Sequence, residues 1–364
     1  MTAPVATITE VKEYGVLTAT RLNVKEAGEH CYGVKYSHDG KFLAATFGNG
    51  VARVLDGKNY TQLQRTKLGG KCDDVPATGV KWREIPSDAA EEGVYELAVT
   101  STGGGCFGFC FDISDPSGCF LDKLWKLPEE GNETNCCDYS PDGKWLATAG
   151  SDRVVRLYDP VKKKCVQTLS QGHDESGHSR PAHTNRIFSV AWSTPNFFLT
   201  GGWECPVQIW DIRTGKAERQ LMGPAVSSDS IEIMATTQHV MIGSNRNNKQ
   251  ITVFDYMTGR EINAESEKYS AGFGKATLSQ IRYDPSIGAI WAVAQKPEAL
   301  IYMDAESGEV KGMMDGVGTL LAIDVNHRAH PGRCLLGGFR EGLWVVDLAG
   351  PAAAAEGDVR KEDA

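Results

Sequence analysis

The stretch from Pro181 to Lys216 reads PAHTNRIFSVAWSTPNFFLTGGWECPVQIWDIRTGK and contains three short apolar segments. Ile187–Ser193 alternates inward and outward residues, Phe197–Gly201 is an apolar run, and Val207–Asp211 ends in Trp-Asp. Pro, Asn and Gly residues typical of turns separate these segments, and a further turn leads to a fourth segment. The pattern predicts four antiparallel strands. A sheet of this size is not stable alone, so further copies are expected along the chain.

Such copies are present. An apolar or aromatic residue followed by Asp occurs seven times, at Leu55-Asp56, Phe111-Asp112, Tyr158-Asp159, Trp210-Asp211, Phe254-Asp255, Met303-Asp304 and Val346-Asp347. Successive Asp positions differ by 56, 47, 52, 44, 49 and 43 residues. A spacing near 40–45 residues is typical of the four-stranded blades of a propeller. We therefore predict an all-β fold, a single seven-bladed β-propeller of four-stranded antiparallel blades.

The repeated pattern resembles the WD-repeat family over nearly the whole chain, with a weaker resemblance to its ciliary and flagellar members. The resemblance implies that an N-terminal strand, within Tyr14–Val24, closes the ring beside the last blade. The predicted organisation is an N-terminal extension over residues 1–13 and the propeller over 14–349. A disordered acidic and Ala-rich tail is predicted over 350–364.

Composition narrows the class of protein. The chain has 364 residues, 41% of them hydrophobic and 23% charged, with a formal net charge of −9. The negative charge argues against nucleic acid or an anionic membrane surface as the main partner. No stretch of about 18 apolar residues predicts a membrane span, and the N-terminus does not resemble a secretory signal. The ten cysteines are therefore expected to be reduced and mostly buried, in a cytoplasmic protein.

One group of polar residues in blade four matches a structural network of the family. The resemblance implies a buried His–Ser–acid–Trp network formed by His183, Ser189, Glu204 and Trp210, and Asp152 occupies the acid position in blade three. A hydrolase triad is the alternative reading of a Ser, a His and an acid. The structural interpretation is favoured, because these residues lie at repeat positions and no strand–elbow–helix presents the serine.

No pattern predicts a catalytic residue, a bound cofactor or a metal. His173, His178 and His183 lie in a polar segment, Ser170–His183, that we interpret as a solvated loop because the spacing matches no zinc pattern. Gly103–Gly105 is followed by a strand-like segment rather than by a helix, which argues against a phosphate-binding loop. The sequence thus predicts neither an enzyme nor a small-molecule substrate.

A binding face is predicted from the residues that precede each inner strand. These are His30, Pro76, Glu133, Arg186, Ser227, Thr277 and Thr319, which differ in chemistry, as expected of a surface that contacts a partner. Nearby turns contain Trp203, Phe339 and Arg340, and turns normally hold small or polar residues. The candidate partner-binding residues are Arg186, Trp203, Phe339, Arg340 and His30.

The predicted function is a non-catalytic scaffold for other proteins or peptide segments in a multiprotein complex, with a cytoskeletal or ciliary assembly favoured. The alternative is a substrate receptor of a cullin-RING ubiquitin ligase. WD-repeat receptors of that class dock through a Trp-Asp-x-Arg ending, which Trp210-Asp211-Ile212-Arg213 resembles. In that case Arg213 contacts the ligase adaptor.

Overall fold

The computed structural model describes residues 7–23, 30–85, 93–114, 119–173, 179–203, 206–234, 237–316, 318–339 and 342–348. Two N-terminal strands, β1 (Thr7–Tyr14) and β2 (Leu17–Asn23), come first. Seven sheets of propeller type follow in chain order, and consecutive strands in each are antiparallel neighbours. The predicted all-β seven-bladed propeller is confirmed.

The first four blades each have four strands. Blade one consists of β3 (Cys31–Tyr36), β4 (Phe42–Phe47), β5 (Val51–Asp56) and β6 (Gln62–Lys67). Blade two consists of β7 (Ala77–Trp82), β8 (Val94–Ser101), β9 (Gly105–Asp112) and β10 (Phe120–Pro128). Blade three consists of β11 (Thr134–Tyr139), β12 (Leu146–Gly150), β13 (Val155–Asp159) and β14 (Lys164–Leu169). A hairpin, β15 (Gln171–His173) and β16 (Ser179–Pro181), lies within the segment expected to be a loop. Blade four consists of β17 (Ile187–Thr194), β18 (Phe197–Gly202), β19 (Val207–Asp211) and β20 (Lys216–Leu221).

The remaining blades vary the pattern. Blade five has β21 (Ile231–Met234), β22 (His239–Gly243) and β23 (Ile251–Asp255), followed by helix α1 (Asn263–Ser270). Blade six consists of β24 (Leu278–Asp284), β25 (Ala289–Gln295), β26 (Glu298–Asp304) and β27 (Val310–Asp315). Blade seven has β28 (Leu320–Val325), β29 (Arg333–Gly338) and β30 (Leu343–Leu348). Short 3-10 turns occur at Gly70–Cys72 and Ala271–Phe273.

Each of the seven apolar-Asp pairs lies at the end of a third strand.

Blade seven is completed by the N-terminus, as the sequence predicted. Strand β2 pairs antiparallel with β30, from Leu17 opposite Leu348 to Leu22 opposite Leu343. Strand β1 then pairs with β2 and gives this blade a fifth strand. Residues 7–13, which were assigned to an extension, are therefore part of a sheet. The residues of the predicted tail lie outside the described residues, and the domain limits remain a prediction.

The core lies between adjacent blades. Where blade one meets blade two, for example, Phe42 and Val54 pack with Trp82, Leu97 and Phe109, all of them buried. Residues of the middle strands are buried on both faces because each blade is covered by a neighbour on either side, so these strands have nearly continuous apolar sequences. This stacking needs a closed ring, since an open one leaves two apolar blade faces in water.

The outer edge of blade five is covered by α1 in place of a fourth strand. Within the described residues, a single β-bridge, Phe254 to Glu261, extends this sheet beyond β23. The Ser266 hydroxyl accepts a hydrogen bond from the Val253 amide at 2.9 Å. The Ser270 hydroxyl accepts from the Ile251 amide at 3.2 Å and donates to the Ile251 carbonyl at 3.0 Å. Two helical serines thus supply bonds that a neighbouring strand normally makes.

We expect deletion of residues 1–24 to lower the melting temperature by about 10 °C or more, since it removes several kcal/mol of strand pairing and burial. Leu17 and Ala19 are fully buried beside β30, so their loss exposes the last blade. Differential scanning calorimetry measures the effect. Deletion of residues 351–364 serves as the control and should leave the melting temperature unchanged. Equal melting temperatures for the two deletions would contradict the closure.

Candidate binding site at the central channel

Six inner strands carry the same β-bulge near their start. In β3, β7, β11, β17, β24 and β28 the register shifts between the first and the third residue of the strand. A bulge leaves one residue unpaired and re-aims its side chain. The second residues of these strands all line one cavity of about 380 Å³ in the central channel: Tyr32, Thr78, Asn135, Phe188, Ser279 and Leu321. We call this the upper cavity, and the upper face is the one onto which it opens.

The side chains at the fifth position of the same six strands form a second ring around the channel. Blade five adds Glu232 to this ring. Read around the ring, this level contains Lys35, Lys81, Asp138, Ala191, Glu232, Arg282 and Asp324. All seven line a second cavity of about 370 Å³, the lower cavity. Asp229 lines both cavities, as do Lys35, Lys81 and Arg282. The charge belt is defined here as Lys35, Lys81, Asp138, Asp229, Glu232, Arg282 and Asp324.

Ion pairs connect the charge belt across blade boundaries. Lys81 lies 3.1 Å from Asp229 and 3.7 Å from Asp138, and Lys35 pairs closely with Asp324. Arg282 lies 2.7 Å from Asp229 and 3.1 Å from Glu232. The belt therefore links six of the seven blades by electrostatic contacts, while blade four contributes Ala191. Sequence reasoning missed this belt. The charged residues at position five become visible only when the inner strands are aligned with one another.

The carboxylates of the belt differ in how well they are compensated. Burial opposes ionisation of Asp229, but Lys81 and Arg282 hold its pKa well below the ordinary value. For Asp138 burial outweighs the attraction of Lys81, so its pKa is raised. Burial likewise raises the pKa of Glu232, which Arg282 offsets only in part. Asp229 is thus stabilised as an anion by its cations, whereas burial makes the ionised form of Asp138 less favourable.

The predicted aromatic candidates lie on the upper face and stack with neighbours. Trp203 is 53% exposed and its ring lies 5.1 Å from that of Phe188, which lines the upper cavity. Phe339 is 42% exposed and its ring lies 4.1 Å from that of His30. These contacts hold both rings at the surface without burying them. Arg340 lies outside the described residues.

The two arginine candidates both form ion pairs within the chain. Arg186 pairs with Glu133, so two of the positions that precede inner strands meet across neighbouring blades. Arg213 donates to Asp211 through Nη2 at 2.6 Å and through Nε at 2.9 Å. Its guanidinium also lies 5.3 Å from the centre of the Phe197 ring. The Arg213 side chain is nevertheless 62% exposed.

Two members of the network implied for blade four meet through a residue that the sequence analysis missed. The Thr200 hydroxyl accepts a hydrogen bond from Trp210 Nε1 at 2.7 Å and lies 2.7 Å from His183 Nε2. Ser189, which was assigned to this place, donates to Asp229 at 3.2 Å instead. The reason is its strand: Ser189 is on β17 at the channel, while Thr200 is on β18 between His183 and Trp210. Glu204 lies outside the described residues.

Blade three builds the equivalent network around a buried carboxylate. Glu129 accepts hydrogen bonds from Tyr158 at 3.0 Å and from Asn132 at 2.6 Å, and it also bonds Thr148. Thr148 and Tyr158 occupy the positions of Thr200 and Trp210 in the repeat. Arg156 lies 3.3 Å from Glu129 and supplies the counter-charge, and its other nitrogen pairs with Asp152. Asp152 thus enters this network through an arginine.

The remaining observations concern cysteines, groups that could bind a metal, and helices that could span a membrane. The described part of the chain contains nine free cysteines, of which six are buried. Over the same residues, no group of three or more His, Cys, Asp or Glu side chains is arranged to hold a metal ion. No helix of the described residues has the length and apolar character needed to cross a bilayer.

Comparison with known proteins agrees with this architecture. The family model described as "WD domain, G-beta repeat" matches residues 123–159, which run from β10 to the end of β13. WD repeat-containing protein 1 of Xenopus tropicalis is 32% identical over 92 residues, 25% of this chain and 14% of that protein. The ribosome biogenesis protein WDR12 homolog of Aedes aegypti is 26% identical over 214 residues, 54% of this chain and 47% of that protein. Cell division cycle 20.6, cofactor of APC complex, of Arabidopsis thaliana is 27% identical over 99 residues, 27% of this chain and 21% of that protein.

A closed ring of seven blades around a channel defines the class of protein, a β-propeller. Together with the matched repeat, it makes the chain similar to proteins of the WD-repeat family. Propellers of this family generally act as non-catalytic scaffolds for protein interaction. The chain spans less than half of the length of each of these relatives.

We expect Asp229→Asn and Asp138→Asn to affect stability differently. Asp229→Asn leaves Lys81 and Arg282 without their closest carboxylate and should cost about 3–5 kcal/mol. Asp138→Asn should be within about 1 kcal/mol of wild type or stabilising at pH 7, because it removes an anion that burial disfavours. Urea denaturation from pH 4 to pH 8 measures both.

The pH dependence gives a second check on Asp138. Its folded pKa is raised, so the folded state binds the proton more tightly than the unfolded state does. The stability of the wild type relative to Asp138→Asn should therefore rise as the pH falls through the range between those two pKa values. A large loss in Asp138→Asn at pH 7 would contradict this account.

Trp210 is expected to be structural. Trp210→Ala removes a fully buried indole and should cost about 3–5 kcal/mol, and Trp210→Phe, which loses the bond to Thr200, about 1–2 kcal/mol. Chemical denaturation measures both, with the exposed Trp203→Ala expected to stay within about 0.5 kcal/mol. A Trp210→Ala protein of wild-type stability that had lost a binding partner would assign the residue to function instead.

Proposed function

We propose that this protein is a non-catalytic scaffold that binds another protein, or a peptide segment of one, on its upper face. The observation that carries the proposal is the pair of exposed aromatic residues, Trp203 and Phe339, in turns of blades four and seven. Large apolar side chains in such turns are explained by contact with a partner, and Trp is enriched at interface hot spots. The similarity to WD-repeat proteins supports the same type of function.

The aromatic residues that lead from the upper face into the channel also support a binding function. Trp203 contacts Phe188, and Phe188 lines the upper cavity, so an aromatic surface leads from the face into the channel. A cavity of about 380 Å³ is large enough for one or two side chains of an inserted segment. Arg186 and His30 are further candidate contacts on this face, and Arg340 stays a candidate from the sequence alone.

The finer part of the proposal is the assembly to which the protein belongs. The sequence analysis favoured a cytoskeletal or ciliary assembly in the cytoplasm. The names of two of the relatives quoted above refer instead to ribosome biogenesis and to the cell division cycle. We therefore place assemblies of those two kinds ahead of a ciliary one. Affinity purification followed by mass spectrometry distinguishes them, and salt-resistant association with microtubules would favour the cytoskeletal assignment.

The ubiquitin-ligase alternative rests on the Trp210–Arg213 tetrapeptide and on the longer segment Phe197–Arg213 that contains it. The Asp211 carboxylate pairs with Arg213 on both oxygens, which gives these two residues a role within the turn. That internal pair explains the residues without an adaptor. We therefore do not adopt the ligase reading as the function.

Upper-face substitutions should weaken partner capture while the fold persists. Trp203→Ala and Phe339→Ala should each reduce affinity by about 2 kcal/mol or more if they are hot spots, and Arg186→Ala by less because it is paired with Glu133. Quantitative pull-down of the co-purifying proteins measures this, with circular dichroism as the check on folding. Arg328→Ala, an arginine that lines the lower cavity, is the matched control. Normal capture by all three upper-face variants would move the interface to the other face or to the blade rims.

A further inference from the structure

The central channel is electrically polarised along its axis. The charged side chains that line the upper cavity are three cations, Lys35, Lys81 and Arg282, and one carboxylate, Asp229. The lower cavity is lined by those four together with Glu84, Asp138, Glu232, Asp324 and Arg328, which gives it an excess of carboxylates. A chain with a net charge of −9 thus presents a basic floor to whatever enters from the upper face.

The basic floor is rigid and largely desolvated. Arg282 is only 5% exposed, and its two terminal nitrogens are fixed by bonds to Asp229 at 2.7 Å and Glu232 at 3.1 Å. Lys81 is held by Asp229 and Asp138 in the same way. Charges fixed in a site of low dielectric interact with a ligand more strongly than charges in water. They also lose little conformational freedom on binding.

One donor on this floor is unused. Arg282 Nε has no hydrogen-bond acceptor among the residues that the structure describes. The Asp324 Oδ1 atom lies 3.8 Å away, beyond hydrogen-bonding distance. The Nε atom has almost no exposed surface, so it adds to the cost of burying Arg282 and is not itself a contact for a ligand.

The neutral groups around the floor are mostly committed to the protein. Asn135 donates to the Ile187 carbonyl at 2.9 Å, Thr78 to the Thr134 carbonyl at 2.6 Å, and Gln280 to the Leu321 carbonyl at 2.8 Å. The cations of the floor are also paired, but they carry a charge that neutral amide and hydroxyl groups lack, so recognition in this cavity depends on the cations. Phe188 and Leu321 provide apolar walls for the carbon chain of a ligand.

We propose that the upper cavity binds a carboxylate of an acidic peptide segment, directed at the floor formed by Lys35, Lys81 and Arg282. The carboxylate is that of an Asp or Glu side chain or of a peptide C-terminus. This inference rests on the proposed function, because it assigns the chemistry of the segment that enters from the upper face. The cavity would thus select a negatively charged segment of the partner, although the scaffold itself carries a net negative charge.

Fluorescence anisotropy with labelled decapeptide pools tests the inference on the full chain. Each pool has one fixed central residue, Glu, Gln or Lys, degenerate uncharged flanks and an amidated C-terminus. A fourth pool has central Gln and a free C-terminal carboxylate. We expect the Glu pool, the free-carboxylate pool or both to bind at least about tenfold more tightly than the amidated Gln pool, as one charge-assisted contact allows. The Glu and free-carboxylate arms distinguish the two sources of the carboxylate.

Phe188 offers a matched pair of variants. Phe188→Asp and Phe188→Asn both remove the ring that contacts Trp203, and only the former adds a negative charge to the cavity wall. Phe188→Asp should therefore abolish the preference for the carboxylate pools, and Phe188→Asn should retain it. Thermal melts establish that both variants are folded, and binding should weaken with added salt.

The outcomes separate the two levels of the proposal. Equal binding of the charged and uncharged pools, lost in Trp203→Ala, would overturn the carboxylate assignment and leave the upper-face function standing. A preference for the Lys pool, or equal effects of Phe188→Asp and Phe188→Asn, would also overturn it. If no pool bound while partner capture was insensitive to every upper-face variant, the proposed function itself would fall.

Discussion

Every blade depends on the pairing of β2 with β30, because that contact turns a row of sheets into a ring. The pairing joins residues more than 300 positions apart in sequence, from Leu17 with Leu348 to Leu22 with Leu343. Its entropic cost is that of closing a loop of nearly the whole chain, which rises only slowly with loop length. Closure stabilises the ring because it buries the faces of the first and last blades, and β2 covers the edge of β30.

A closed ring brings charged residues of different blades together at its axis. The inner strands converge there, so that equivalent positions face one another across the channel. Charges of one sign at such a position would repel, and the belt combines both signs: Lys35 and Lys81 pair with Asp324 and Asp229, and Arg282 pairs with Glu232. The same principle operates locally in blade three, where Arg156 accompanies the buried Glu129.

The sequence predicted the fold well because the fold is repeated. Seven apolar-Asp endings report seven third strands, and errors at one blade are corrected by the others. The polar details were less accessible. Ser189 and Thr200 are both hydroxyl residues of blade four, and only the strand geometry assigns Thr200 to His183 and Trp210. The belt was missed because most of its members are charged residues at one position of an inner strand, and most of their partners lie on other blades. The helix of blade five, with the sequence NAESEKYS, lacks an apolar periodicity and gave no signal.

That helix has a consequence for how the molecule behaves among its own copies. Four residues of α-helix rise about 6 Å, close to the advance of about 6.6 Å over two residues of a strand, so Ser266 and Ser270 match alternate amides of β23. A fourth strand would have left its own outer row of amides and carbonyls exposed at the rim. The helix has its backbone bonds inside itself and offers no such row. The outer surface of blade five therefore offers no strand edge with which another copy of the chain could pair.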